Sequence, residues 1–291
     1  MKPRSTWRAD LALAFIALIW GATFVLVKQA LADVSTLLFL GLRFSIAAVA
    51  LALVFRKRAF QGGAALRGGL VAGVFLFIGY FFQTLGLRFT TASVSACITG
   101  LMIVMVPILS AAVYKKAPHP SEVLGVGVAA IGMALLTLRS FHMGAGDLLT
   151  LVCAAGFAVH LIVVNHYSPI ASFESITFVQ IVVAAGLALS SFWWAETPRI
   201  RWSPSVLIAL VVTGLLATAL AFAVMVWAQQ YTTATRTALI LSLEPVFAWI
   251  TSYLLAGETL SARASAGAIM ILAGILLVEL KPVGARPHPS G

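Results

Sequence analysis

Three ionisable side chains, Arg43, His160 and Glu244, stand deep inside apolar runs of this sequence. A charge at such a position costs around 3 kcal/mol on membrane-insertion scales unless it faces a cavity or a partner, so Arg43 and Glu244 each call for compensation. The simplest arrangement gives each a hydrogen-bonded partner, and each is a candidate partner for the other. Two uses stay open: a buried pair that ties helices together, or an Arg43 facing a cavity, where its planar fork suits a substrate carboxylate. His160 either relays a proton or acts as a neutral donor to a helix or ligand. Apart from Glu244, no carboxylate lies clearly within an apolar run, which argues against a carboxylate-based proton relay.

Aromatic and hydrogen-bonding side chains recur together as Trp20 with Thr23, Tyr80 with Gln83, and Trp227 with Gln230. Pockets for organic solutes combine an apolar lining with a few placed polar groups, so these six and His160 form the expected substrate-binding set. The competing reading is an interfacial aromatic belt, which suits Trp7, Trp193, Trp194 and Trp202 near the ends of runs. Pro107 and Pro245 each remove a helix donor and free the carbonyls of Ile103 and Leu241. Such a site is either a discontinuous helix whose backbone lines a cavity or a proline kink satisfied by neighbouring helices. Cys97 and Cys153 both lie in apolar runs and have neither disulfide nor zinc-ligand spacing, so no metal and no cofactor are expected.

The elements that must position these residues are apolar helices. The 291 residues are 61% hydrophobic and 10% charged, with a mean hydropathy of +1.04, far from a soluble average of roughly 25% charged. A water-soluble enzyme is excluded. The net charge of +10 does not point to nucleic acid, because the basic residues sit in short gaps between apolar runs rather than as a dense stripe on a polar surface. At about 20 residues per crossing, ten runs are expected to span a membrane: 9–28, 34–55, 66–87, 91–113, 121–139, 147–165, 173–194, 204–228, 234–256 and 261–280. Lys and Arg divide twelve against six between the two sides. Positive residues favour the cytoplasm, so both termini are expected there, with the loops near Arg88, Arg139 and Arg201 outside.

The sequence also repeats itself. A shift of 142 lays Phe89-Thr90-Thr91-Ala92-Ser93 on Tyr231-Thr232-Thr233-Ala234-Thr235 and carries Gly125 onto Gly267, Gly132 onto Gly274 and Leu135 onto Leu277. A shift of 137 places Asp10 on Asp147, Trp20 on Phe157 and Arg43 on Gln180, and puts His160 at the position of Thr23. Two repeats follow, residues 1–140 and 141–291. Five crossings each is an odd number, so the copies enter from opposite faces, the inverted plan of many secondary transporters. The expected fold is thus an all-α integral membrane protein of ten transmembrane helices in two inverted five-helix repeats. In this register Thr91 and Thr233 are N-caps at equivalent helix starts, whereas Pro107 lies opposite Trp249, about one turn from Pro245. The two repeats are therefore expected to be broken at unequal depths. Small residues such as Gly125, Gly132, Gly267 and Gly274 are read as packing surfaces.

Ile19-Trp20-Gly21-Ala22-Thr23-Phe24, Leu42-Arg43-Phe44, Thr90-Thr91-Ala92-Ser93, Leu243-Glu244-Pro245, Gly257-Glu258 and Ala273-Gly274-Ile275-Leu276 together resemble the drug/metabolite transporter superfamily, EamA type, over nearly the whole chain. The stretch from Ile98-Thr99-Gly100 to Val106-Pro107 and the overall length are similar to amino-acid exporters of the YddG type. The resemblance implies export of small organic metabolites, foremost amino acids and among them aromatic ones, through a central cavity in a bacterial inner membrane, with no catalytic chemistry. From their own chemistry, Arg43, Pro107, Glu244, Pro245, Thr91 and Thr233 are expected to be structural or gating residues. The expected partners are a small-molecule substrate and membrane lipid, without nucleic acid, the chain acting as monomer or homodimer. Competing readings are a multidrug or organic-cation exporter, a membrane-embedded enzyme using His160 and Glu244, and a channel. ATP-driven pumping is disfavoured because no phosphate-binding Gly-rich loop ending in Lys-Ser or Lys-Thr is present.

Overall fold

A computed structural model describes residues 6–115, 117–137, 144–256 and 261–279, so Gly257-Glu258 and the loop at Arg139 lie outside the described residues. The described chain is built from helices in the order α1 (Thr6–Ala30), α2 (Thr36–Phe55), α3 (Gly63–Gly86), α4 (Ala92–Gly100), α5 (Met102–Tyr114), α6 (Pro120–Thr137), α7 (Ala145–Tyr167), α8 (Phe173–Ala195), α9 (Pro204–Val211), a π-helical segment (Val212–Leu220), α10 (Ala221–Ala228), α11 (Ala234–Leu241), α12 (Glu244–Ala256) and α13 (Ala262–Glu279). Among the described residues, seven helical stretches are long and apolar enough to cross a membrane, and Pro120–Leu135 and Ser265–Leu277 are shorter apolar helices.

Where helices start, side chains supply the acceptors that orphan amides need. Thr91 accepts from the Val94 amide at 3.2 Å and Thr233 from the Arg236 amide at 3.2 Å. Ser172 and Ser203 do the same for α8 and α9.

The helix breaks correct one expectation. They fall at Leu101, between α4 and α5, and at Ser242-Leu243, between α11 and α12, and the 142-residue shift maps Leu101 onto Leu243. The two breaks are therefore equivalent in the repeat register; the second falls between Leu241 and Pro245, where Pro245 was expected to place it, and only the first departs from its proline. Pro107 lies within α5, while Pro245 is in the first turn of α12, where a missing N–H costs no hydrogen bond. The chain tightens instead: Leu101 N donates to Ile98 O at 3.1 Å and Leu243 N to Ile240 O at 3.1 Å, the i→i+3 pattern of a 3₁₀ turn.

Packing follows the repeat. α3 packs on α7 as α9, the π segment and α10 pack on α1; α5 packs on α7 as α12 packs on α1. Two contacts map onto themselves, α2 with α8 and α6 with α13. The α6–α13 contact is close because it is glycine on glycine: a Cβ at Gly132 would lie 2.6 Å from the Gly267 carbonyl oxygen, and one at Gly274 would lie 2.5 Å from that of Gly125.

Helices α1 and α7 share one set of anchors. Asp10 in α1 takes a bidentate pair from Arg236, at 3.1 and 2.6 Å, and Asp147 in α7 accepts from the Thr90 hydroxyl at 2.7 Å. Toward the other end of each helix, Lys28 Nζ donates to the carbonyls of Leu87, Arg88 and Thr90, the last at 2.9 Å. Asn165 Nδ2 donates to those of Gln229 and Thr232, at 3.4 and 2.9 Å. Thr90 is thus held by the last turns of α1 and the first turn of α7.

Candidate functional site

A cavity forms where the helix breaks face α1, α3, α7 and α10. Its lining includes Trp20, Thr23, Arg43, Tyr80, Gln83, His160 and Glu244, with Thr99, Met102, Phe157, Phe222, Met225 and Leu241. Seven of the thirteen residues expected to carry function are thereby brought together. The lining is also paired by the repeat: Trp20 with Phe157, Thr23 with His160, Tyr80 with Phe222, Gln83 with Met225, Thr99 with Leu241, and Met102 with Glu244. These register partners come from both halves of the chain, whereas Arg43, Val27, Thr84 and Leu87 line the cavity without a counterpart in the lining.

Arg43 is buried, and its partners differ from the one proposed for it. Its Nε donates to Thr218 Oγ1 at 2.8 Å and its Nη2 to Tyr80 Oη at 3.1 Å, while the guanidinium carbon lies 4.4 Å from the centre of the Tyr80 ring. The Thr218 acceptor comes from the π-helical segment. Widening a turn by one residue displaces carbonyls from the regular ladder, and the Ala217 carbonyl there accepts the Trp20 indole N–H at 2.7 Å and approaches Arg43 Nη2 at 3.5 Å. One irregular turn thus orients both Trp20 and Arg43. Arg43 Nη1 donates to no described residue.

Glu244 is 6% exposed, and among the described residues nothing forms a hydrogen bond or ion pair with its carboxylate. The expected Arg43–Glu244 pair is absent; the two charges line one cavity with separate surroundings. Gly21 fixes how close Glu244 comes, since a Cβ there would lie 2.6 Å from the Glu244 carbonyl oxygen and 2.8 Å from the Ala248 nitrogen. His160 Nε2 lies 2.8 Å from Gln180 Oε1, with Phe222 edge-on to its ring. Gln83 Nε2 donates to Thr99 Oγ1 at 3.1 Å, and Thr99 in turn lies 3.7 Å from the buried Cys153 sulfur.

Six expected residues lie elsewhere. Trp227 and Gln230 do not line this cavity; Trp227 packs against Tyr231 with centroids 5.3 Å apart. At about 100° per residue, Trp227 is turned roughly 140° from Phe222 around α10, and Phe222 and Met225 occupy the inward face. Pro107 and Thr233 line a second, wider cleft with Tyr114, Glu122, Asn165 and His166. Thr91 caps α4, and Pro245 packs under Gly100. The central cavity measures ≈ 50 Å³ and the second cleft ≈ 600 Å³. At about 10–15 Å³ per water on this scale, the central cavity holds a few waters, and an organic solute fits only when the surrounding helices part.

Thr218, Ala217, Thr99 and Gln180 were missed in the sequence. The repeat register is the signal that could have found two of them, because Gln180 stands opposite Arg43 and Thr99 opposite Leu241; nothing local marks the π segment. No group of three or more His, Cys, Asp or Glu side chains able to hold a metal occurs among the described residues.

Similar proteins span nearly the whole chain. An uncharacterized transporter of Archaeoglobus fulgidus is 36% identical over 94% of this chain and 86% of its own length. The uncharacterized transporter YvbV of Bacillus subtilis is 26% identical over the whole of this chain and 98% of its own. A solved crystal structure superimposes with a TM-score of 0.77 at 18% identity, covering 95% of this chain and 98% of that one. The model of the EamA-like transporter family matches twice, over residues 7–138 and 144–280. With membrane-length helices surrounding a polar cavity, this chain belongs to the EamA-like transporter family and is an integral membrane transporter rather than an enzyme.

Proposed function

We propose that this transporter exports zwitterionic metabolites, foremost amino acids with apolar or aromatic side chains, by alternating access through the central cavity. One observation carries the reading: Arg43 and Glu244 line the same cavity without pairing with each other. Arg43 keeps Nη1 for a carboxylate, Glu244 supplies the counter-charge for an ammonium group, and Trp20, Phe157 and Phe222 offer apolar faces between them. A zwitterion compensates both buried charges at once.

The architecture proposed around the cavity is ten crossings in two inverted repeats, residues 1–140 and 141–291, with both termini in the cytoplasm of a bacterial inner membrane. It is supported by the reciprocal packing of α1 and α7 and by Thr90, which meets the end of one and the beginning of the other. Asp10 and Lys28, like Asp147 and Asn165, are separated by 18 positions, or about 27 Å of helix, close to the ~30 Å thickness of a hydrocarbon core.

Glu244 alone favours a second reading, an organic-cation exporter. Proteoliposomes loaded with an aromatic amino acid, its methyl ester, its N-acetyl derivative or a quaternary organic cation separate the two. Saturable efflux of the free amino acid, with at least tenfold poorer efflux of both blocked forms, is expected. Efflux of the ester and the cation equal to or better than that of the amino acid would replace the zwitterion by a cation.

A further inference from the structure

The two corners joining α3 to α4 and α10 to α11 are held by equivalent positions that carry different chemistry. The 137- and 142-residue shifts map Lys28 onto Asn165, Leu87 onto Gln229 and Thr90 onto Thr232. Lys28 donates to the Leu87, Arg88 and Thr90 carbonyls, and Asn165 to the Gln229 and Thr232 carbonyls. One position thus performs the same task at both ends, with an ammonium at one and a neutral amide at the other. Carbonyls at the end of a helix carry partial negative charge, and hydrogen bonds from a charged donor are about twice as strong as neutral ones. The Lys28 corner is therefore held the more firmly.

The cavities differ in the same sense. The central cavity reaches toward the Lys28 end along Val27, Thr84 and Leu87 and stops beneath the bonded corner. At the opposite end the wide cleft has Asn165 in its wall.

We propose that Lys28 and Asn165 are latches on the two mouths of the transport pathway, and that the lysine–asparagine difference sets the Lys28 mouth as the one that rests closed. The inference rests on the two-repeat reading above. Other bonds act beside the latches: at the Lys28 end Asp147–Thr90 and the Arg88 guanidinium, which donates to Leu31 O, Val34 O and Thr36 Oγ1, and at the Asn165 end the Asp10–Arg236 ion pair. The ion pair joins α1 to α11 and opposes opening at its own end, so a test must alter the latch residues and leave both acidic anchors in place.

Spin labels at Ala32 and Phe89 report the Lys28 end, and labels at Ile170 and Gln230 report the other. Each pair is placed in a Cys97→Ser/Cys153→Ser background in lipid nanodiscs without substrate, and distance distributions are measured by pulsed dipolar spectroscopy. Lys28→Asn should raise the long-distance population of the Ala32/Phe89 pair by roughly tenfold, the scale of one charge-assisted hydrogen bond. Asn165→Lys should lower that of the Ile170/Gln230 pair, and the double exchange should transfer the tighter distribution from one end to the other. If Lys28→Asn does not fold, Lys28→Gln, with two donors on a longer stem, is read in the same way. Distributions unchanged in every folded variant, or both label pairs lengthening in a single variant, would overturn the proposal and leave Lys28 and Asn165 as structural ties. Because the distances are read without substrate, failure of the amino-acid reading leaves this outcome untouched.

Discussion

Replacing Thr218 with valine removes one oxygen and nearly preserves the shape of the side chain, which isolates the contribution of the π-helical segment to Arg43. The lost bond runs from a buried guanidinium Nε at 2.8 Å. Hydrogen bonds to charged groups contribute about 1.5–3 kcal/mol net, and Tyr80 still accepts from Nη2 at 3.1 Å, so a loss of about 2 kcal/mol is expected, roughly thirtyfold in the unfolding equilibrium. Thr213 in the same segment provides the control. It is fully buried, yet its hydroxyl has no hydrogen-bond partner, so Thr213→Val removes an unsatisfied group and should be neutral or stabilising. Reversible unfolding in mixed micelles with increasing dodecyl sulfate, followed by tryptophan fluorescence, measures both variants. Substrate affinity should fall in Thr218→Val, where the guanidinium loses its orientation, and hold in Thr213→Val. Equal effects of the two substitutions would refute the claim that Thr218 positions Arg43.

Gly21→Ala places a methyl group against the backbone of α12 at Glu244 and Ala248, where no side chain can yield; the overpacking should cost about 1–3 kcal/mol, read as a lower unfolding midpoint in the same micelle titration. Asp33 lies between α1 and α2, its carboxyl held below its usual range by the Ser203 hydroxyl and by Arg201. A depressed carboxylate stabilises the fold above its unfolded pKa of about 3.9, and that contribution fades as pH falls through the lower folded value. Exchange of the Arg201 amide, bonded to the Asp33 carbonyl at 2.7 Å, should therefore accelerate below pH ~4 beyond the intrinsic rate, and an Asp33→Asn variant should lack that dependence.

Apolar runs disclosed the helices because burial in lipid demands about 20 consecutive apolar residues, a signal averaged over many positions. The two-repeat reading rests on a different signal, residue matches at fixed shifts such as Thr91 with Thr233 and Gly132 with Gly274. Single positions were harder. Trp227 and Gln230 share the residue types of Trp20 and Gln83, but the face they occupy depends on the rotation of α10, which turns Phe222 and Met225 toward the cavity instead. The π segment, Val212–Leu220, looks like any apolar helix in sequence, because the choice between α and π turns is made by contacts such as Arg43 with Thr218. Pro107 misled in the opposite direction. It is a strong local signal, yet a helix in a packed bundle can absorb a proline, and the chain breaks at Leu101 instead. Lys28 stands at the end of the first apolar run, while its bonds to three carbonyls depend on residues about sixty positions away.

Divergence between the repeats gives the cavity its polarity. A cavity lined by identical copies across a pseudo-two-fold axis would bind a solute equally well in two opposed orientations. Here Tyr80, Gln83 and Thr99 face Phe222, Met225 and Leu241 across the register, while Glu244 answers Met102. In these three register pairs the hydrogen-bonding member lies on α3 or α4, and the lone carboxylate of the lining stands at the start of α12. Arg43 has Gln180 as its counterpart, and that amide is turned to His160, so the guanidinium too is single. A zwitterion placed between Arg43 and Glu244 therefore has one orientation that matches charge at both ends, and reversing it sets like charges together. Exchange of conformation between the repeats would alter which mouth is open while leaving this one set of charges in the cavity, so the same orientation would serve for uptake at one face and release at the other.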